Sequence, residues 1–157
     1  MSYHIVWKNS DETLTLDTLP PECSEQEALA YKNLRIAKQV FIATQFCAIV
    51  TSEQLPQDRY YRNAWRFNGS NVVLDVGNCR HRHMEKLRRV RNAKLQDSDA
   101  DYMRALEQAN QTQLAALKNY RQTLRDMPQA VNTTMQAAST PEAIKAIRPA
   151  ILDTPKP

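Results

Sequence analysis

The chain has 157 residues, of which 42% are hydrophobic and 24% are charged, and its net charge is +4. This composition excludes a disordered chain, and the length suits one compact domain or a small domain with an extension. No apolar run approaches membrane-spanning length and no basic segment followed by an apolar run opens the chain, so we expect neither a membrane span nor a secretory signal.

The three cysteines, Cys23, Cys47 and Cys79, include no CxxC pair. We therefore expect reduced thiols in a cytosolic protein, and neither a zinc ribbon nor a redox motif. Only two glycines occur in the chain, which favours helices and few tight turns, because glycine is the residue that turns with a positive φ most often need.

Residues 1–55 are predicted to form a small β-β-α-β module. His4-Ile5-Val6-Trp7 is predicted to be a short strand, and residues 13–16 alternate between apolar and polar, so the two segments are typical of the strands of a hairpin. Apolar and β-branched residues at 46–51 predict a third strand. The helix lies between the second and third strands.

Two local signals mark where elements begin or turn in this part of the chain. Ser24 and Glu27 match a capping box, which begins a helix. The helix has a loosely periodic apolar face made of Leu29, Leu34, Ile36 and Val40. Asn68 and Gly69 lie between two short apolar runs in a connecting segment, residues 56–76, and predict a β-hairpin with a type I′ turn.

Residues 77–128 are predicted to form two or three amphipathic helices, with breaks near 97–99 and 110–112 and an end at Pro128. The apolar stripes that repeat at helical spacing are Met84, Leu87, Val90 and Leu95, then Tyr102, Met103, Leu106 and Ala109, then Leu114, Leu117, Tyr120 and Leu124. Stripes of this kind pack against other helices or against a partner, and the sequence does not distinguish the two.

Residues 129–157 are predicted to form an irregular tail with one short helix, which begins at Thr140 and ends before Pro149. We expect the chain to be free from Asp153 onward. The predicted fold class is therefore α+β, with a small β-β-α-β module, an Asn-Gly hairpin and then a helical hairpin or two to three helices.

Positive charge is concentrated in one segment. Residues 77–96 contain seven Lys and Arg against Glu85 alone, a net charge of +6, so the rest of the chain sums to −2. At about 100° per residue these cations spread around most of a helix and do not gather on one face. Three interpretations stay open: a solvated helix, a contact surface for protein, and, less favoured, a nucleic-acid-binding helix.

The residues that could carry chemistry do not form a recognisable constellation. Cys79, His81 and His83 are spaced two residues from one another along the chain. On a helix, side chains at this spacing point in different directions, so we predict no metal site. The two histidines are then expected to be solvated. No nucleophile–base pattern or glycine-rich phosphate loop occurs, so we expect a protein that is not an enzyme and needs no cofactor.

The segment from Arg59 to Trp65 combines arginine and aromatic side chains, which often anchor protein interfaces. An alternative is that Tyr61 and Trp65 fill the seam between the two halves of the protein. The predicted partner-binding residues are Arg59, Tyr60, Tyr61, Arg62, Trp65, Arg88, Arg91, Tyr102 and Tyr120.

Several short motifs follow one another along the chain: Pro56-x-Asp58-Arg59-x-x-Arg62-Asn63-Ala64-Trp65, Arg88-x-x-Arg91-Asn92, Tyr102-Met103-Arg104-Ala105-Leu106-Glu107, Leu124-Arg125-Asp126-Met127-Pro128 and Thr140-Pro141-Glu142. Their order resembles a family of small, mostly uncharacterised proteins of tailed phages. The stretch Tyr120-Arg121-Gln122-x-Leu124-Arg125-Asp126 resembles, more weakly, tail-fibre assembly and tail-associated accessory proteins. The resemblance covers roughly residues 56–147. It implies a phage or prophage setting and no catalytic residues.

We therefore expect a virion-associated structural protein of the tail or tail-fibre region, which binds other phage structural proteins in several symmetry-related copies. One alternative is a tail-fibre assembly chaperone that is absent from the mature particle. Another is a nucleic-acid-binding protein that uses the basic helix at 80–94. The expected location is the host cytoplasm during assembly and then the virion.

Overall fold

The computed structural model describes residues 2–38 and 44–157. The chain divides into two compact units, Met1–Asp75 and Val76–Pro157. The first unit contains all of the described strands and the second is helical, so the predicted α+β class is confirmed. Val40, which the sequence assigned to the first helix, lies outside the described residues.

The first unit is built on a three-stranded antiparallel sheet of β1 (Tyr3–Lys8), β2 (Leu14–Thr18) and β3 (Gln45–Thr51), in the order β2-β1-β3. The register pairs Val6 with Leu16 on one side and with Ala48 on the other. All three predicted strands are confirmed. Helix α1 (Glu25–Ala37) begins as its sequence predicts, because the Ser24 hydroxyl accepts the Glu27 amide and the Glu27 carboxylate accepts the Ser24 amide.

Both faces of the central strand are buried. Successive side chains of a strand point to opposite faces of the sheet, so Ile5 and Trp7 lie on one face and Val6 on the other. Ile5 and Trp7 pack with Ala28 of α1, whereas Val6 packs with Trp65. A short strand thus organises two small cores, one on each side of the sheet.

The Trp65 side of the sheet is covered by the predicted hairpin, β4 (Trp65–Phe67) and β5 (Val72–Leu74). The predicted type I′ turn is wrong. Among the residues of this turn, only Gly69 takes a positive φ, +99°, and the turn centres on Gly69 and Ser70. The Asn68 side chain accepts the amides of Ser70 and Asn71, which holds Asn68 outside the left-handed region.

The second unit consists of five helices among its described residues, followed by a 3₁₀ turn at Ala150–Leu152. The helices are α2 (Val76–Asp97), α3 (Asp99–Glu107), α4 (Gln111–Ala130), α5 (Asn132–Ala137) and α6 (Pro141–Ala146). Three helices over residues 77–128, with breaks at Ser98 and before Gln111, are as predicted. Within the described ranges no helix is both long and apolar enough to cross a membrane.

The predictions for the end of the chain are partly wrong. Pro128 lies inside α4, which continues to Ala130, and residues 129–140 are not irregular because they include α5. Buried Met127 and Met135 hold this stretch against the unit. The start of α6 at Thr140 is confirmed, because the Thr140 hydroxyl accepts the Ala143 amide at 3.2 Å.

The last residues are not free, as the sequence had suggested. The Lys156 ammonium lies 2.6 Å from the Asp101 carboxylate and 3.2 Å from that of Asp97. The Lys94 ammonium donates to the Thr154 carbonyl at 3.0 Å. These polar contacts fasten the end of the chain to α2 and α3.

The predicted apolar stripes are confirmed for one helix and corrected for two. On α4, Leu114, Leu117, Tyr120 and Leu124 are all buried. On α3 the buried residue is Ala105, whereas Met103 and Leu106 are 52% and 51% exposed. On α2 the buried residues are Cys79, His83 and Leu87, and Val90 is exposed. The buried face of α2 therefore contains a histidine, and a pattern of apolar residues in the sequence does not predict a buried histidine.

Candidate partner-binding surface

The predicted contact segment of the first unit is largely internal. Arg59–Ala64 forms a 3₁₀ turn that is capped by Asp58. The Asp58 carboxylate accepts a hydrogen bond from the Tyr60 amide at 2.8 Å. Tyr61 and Trp65 are each 1% exposed, and Trp65 belongs to the core around Val6. Their burial favours a packing role in the first unit over a contact with a partner.

Arg59 and Arg62 are exposed on the same turn, beside the buried His4. The His4 ring nitrogens pair with the Thr18 hydroxyl at 3.0 Å and the Ser52 hydroxyl at 2.9 Å. Burial, followed by the positive charges of Arg59 and Arg62, lowers the pKa of His4 below 6.5. The turn therefore presents positive charge on the surface and keeps a neutral histidine beneath it.

The basic helix α2 has an inner stripe of Cys79, His83 and Leu87, at a spacing of four residues. His83 is 4% exposed, and its Nε2 lies 2.8 Å from the Ile147 carbonyl at the end of α6. The expectation of two solvated histidines is therefore wrong for His83. His81 is exposed and lies 3.5 Å from the Glu85 carboxylate.

Several cations of α2 are used within the second unit. The Arg80 guanidinium donates from Nε and Nη2 to the Ala138 carbonyl, at 3.1 and 2.9 Å, and so connects α2 to the residue that follows α5. Arg82 pairs with Glu85 at 3.1 Å. Lys94 holds the chain end, as described above. Sequence reasoning missed these roles because a backbone carbonyl leaves no signature in side-chain patterns.

The outer side of α2 is different. Arg88 and Arg89 are exposed, and neither forms a hydrogen bond or ion pair with any residue in the described parts of the chain. Arg91 is half-buried and donates from Nε and Nη2 to the Asn92 side chain, at 3.0 and 2.8 Å. The whole guanidinium group of both Arg88 and Arg89 is thus available to a partner.

The two predicted contact tyrosines of the second unit have different environments. Tyr120 is only 6% exposed and belongs to the buried face of α4. Tyr102 is half-buried, and the Arg121 guanidinium lies 5.3 Å from the centre of its ring. A partner can therefore reach Tyr102 only at its edge, and Tyr120 hardly at all.

Arg121 joins α4 to the break between α2 and α3. Its Nη1 donates to the Leu95 carbonyl at 3.2 Å, the Ser98 hydroxyl at 2.7 Å and the Asp99 carboxylate at 2.6 Å. Ser98 is fully buried, and its hydroxyl donates to Leu95 and does not cap α3. Helix α3 therefore begins at the predicted break without a side-chain cap from Ser98.

The basic character belongs to the second unit. It has 14 Lys and Arg against eight Asp and Glu, 14 − 8 = +6, whereas the first unit has seven against nine, 7 − 9 = −2. Among the described residues no three His, Cys, Asp or Glu side chains are grouped as metal ligands would be. The surface of the second unit is therefore suited to contacts with an anionic partner.

A comparison with known protein families gives a match in the helical unit. Residues 84–143 match a family model described as phage tail assembly chaperone protein. The match supports a tail-related protein of a tailed phage. It covers less than half of the chain and lies wholly in the helical unit, from Met84 of α2 to Ala143 of α6. No curated protein and no solved structure matches the chain significantly.

Proposed function

We propose that this protein is a tail assembly chaperone, which binds a tail protein of its phage during assembly and is absent from the finished particle. The observation that carries the proposal is the family match over residues 84–143. From the sequence alone we expected a virion structural protein, with a tail-fibre assembly chaperone as an alternative, and the match favours the chaperone. A specific role at the tail fibre is part of the prediction and rests on resemblance alone.

The surface of the matched region supports a role in binding. It carries the exposed arginines Arg88 and Arg89, which have no partner within the described residues, and the exposed apolar side chains Met103 and Leu106. A transient interface commonly combines charged and apolar groups of this kind. We propose contact, and not catalysis, as the mode of action, in the host cytoplasm while tails are assembled.

Particle composition tests the proposal. We expect mass spectrometry of purified virions to lack this chain, while an affinity-tagged copy expressed during infection retains a tail protein. A phage that lacks the gene should make filled heads without normal tails, and a plasmid copy should restore them. Stoichiometric recovery of the chain in purified particles would contradict the proposal and would instead support a virion structural protein.

The nucleic-acid alternative makes a different prediction. Duplex DNA binding through α2 would weaken steeply as salt rises and would be lost on combined Arg88→Ala, Arg89→Ala and Arg91→Ala substitution. We expect no such binding at physiological salt, because Arg82 and Lys94 are engaged within the unit. Salt-sensitive binding lost in the triple variant would support the alternative and contradict the chaperone proposal.

A further inference from the structure

A cleft of about 460 Å³ opens on the helical unit, between α2 and the chain from the end of α4 to α5. From α2 it is lined by Arg80, His81, Met84 and Arg88, and across from them lies Met135. None of the described residues that line it is Asp or Glu. The cleft therefore combines positive charge with an apolar floor.

The two arginines of the cleft lack carboxylate partners. The Arg80 guanidinium donates from Nε and Nη2 to the Ala138 carbonyl, which holds it in place without neutralising it and leaves its Nη1 donors for another acceptor. Arg88 is exposed and has no partner among the described residues. A guanidinium stays charged at any physiological pH and matches a carboxylate with two parallel hydrogen bonds. These groups therefore favour an anionic occupant.

The floor of the cleft favours a peptide. Met84 is half-buried and offers apolar surface that can adapt its shape to varied side chains, whereas Met135 beside the cleft is only 1% exposed. The amides of Gln129, Asn132 and Gln136 lie around them and can bond a peptide backbone. The described lining contains no Phe, Tyr or Trp, and its one ring is the His81 imidazole, so it lacks the series of stacking rings that single-stranded nucleic acid prefers.

We propose that this cleft binds an acidic segment of the tail protein, with Asp or Glu carboxylates on Arg80 and Arg88 and a neighbouring apolar side chain over Met84. The identity of the partner rests on the proposed function, whereas the chemistry of the occupant rests on the cleft itself. The net charge of +6 on the unit draws such a segment toward it.

Adjacent arginines provide a matched pair of variants. Arg88 lines the cleft, and Arg89 is equally exposed but does not line it. The probe is a fluorescein-labelled peptide in which Glu alternates with Leu, and its affinity for the full chain is measured by anisotropy. We expect Arg88→Glu to weaken binding about tenfold or more and Arg89→Glu to change it about twofold, although both lower the net charge equally.

Two further probes decide the class of occupant. A peptide with Gln in place of Glu should not bind, and duplex DNA should not displace the acidic peptide at equal phosphate and carboxylate concentration. Equal losses in Arg88→Glu and Arg89→Glu, or displacement by DNA, would overturn the proposal in favour of non-specific charge attraction. Circular dichroism of both variants confirms that the helices are retained.

The same variants separate this inference from the proposed function. If the wild-type chain retains the tail protein during infection and Arg88→Glu retains it equally, the cleft proposal fails and the chaperone proposal stands. If the wild-type chain binds the acidic peptide in the cleft but retains no tail protein, the chaperone proposal fails and the cleft proposal stands. Loss of the tail protein in Arg88→Glu but not in Arg89→Glu supports both.

Discussion

The His83 imidazole donates a hydrogen bond from Nε2 to the Ile147 carbonyl across 2.8 Å. Because a carbonyl oxygen can only accept, the tautomer with hydrogen on Nε2 is the one that fits. The bond joins α2 to the end of α6, which are far apart in the chain. A polar side chain thus takes a core position in a helix whose other side is strongly cationic.

Substitution of His83 tests this connection. We expect His83→Ala to lower the free energy of unfolding by about 1–3 kcal/mol, because it leaves the Ile147 carbonyl without its donor and opens space beside Leu87. Urea unfolding followed by helical circular dichroism measures the change. His81→Ala is the matched control, since His81 is exposed two residues away, and it should change stability little. Similar losses in the two variants would contradict the assigned role.

Arg121 should matter for the junction of α2, α3 and α4. Removal of its guanidinium leaves the buried Ser98 hydroxyl and the Leu95 carbonyl with fewer partners, so we expect Arg121→Met to cost about 1–3 kcal/mol of stability. Hydrogen exchange should show the loss at residues 95–102. Arg125→Met, one turn further along α4 and exposed, serves as the control. Unchanged protection in Arg121→Met would contradict this account.

The first unit should lose stability in mild acid through His4. Its pKa in the folded state lies below the ordinary 6.5, so the unfolded chain binds a proton more readily. Stability from His4 is therefore full above pH 6.5 and is lost as pH falls from 6.5 through the lowered folded value. Both tryptophans, Trp7 and Trp65, lie in this unit, so their fluorescence reports its unfolding.

The control for this experiment is His4→Asn, which keeps a polar side chain but does not titrate. We expect the unfolding midpoint of this variant to change less between about pH 7.5 and pH 5.5 than the midpoint of the wild type. The difference between the two changes is the contribution of His4 to the pH dependence. His81→Ala should retain the wild-type pH dependence because His81 is exposed in the other unit. A His4→Asn variant with the full wild-type dependence would rule out His4 as the source.

Lys156 should control the acidity of Asp101. The hydrogen bond from Lys156 lowers the pKa of the Asp101 carboxyl, and the same contact together with Asp97 raises the pKa of Lys156. In Lys156→Ala we expect the Asp101 pKa to rise toward its ordinary value of 3.8, as measured by carboxyl carbon chemical shifts. Lys118→Ala, on the exposed side of α4, should leave it unchanged. No rise in Lys156→Ala would show that the chain end is free in solution.

Local sequence signals determined where most elements begin and which class they belong to. The capping box at Ser24, the cap at Thr140 and the alternation around β1 act over a few residues, so the nearby chain is sufficient to predict them. The buried stripe of α4 was predictable for the same reason, because its apolar residues repeat every three or four positions. The concentration of positive charge in α2 is likewise a property of the sequence.

Only the tertiary packing determined which helix faces are buried in the core and which cationic side chains remain available to a partner. Met103 and Leu106 fit a predicted stripe, yet Ala105 faces α4, since a small residue lets the two helices approach closely. His83 can be buried in the core because a backbone carbonyl near the distant end of the chain accepts its hydrogen bond. Arg80 and Arg88 looked alike in the sequence, and only the fold placed them together in a cleft without a carboxylate. Contacts between residues far apart in the chain depend on the folded arrangement, and a single sequence does not display them.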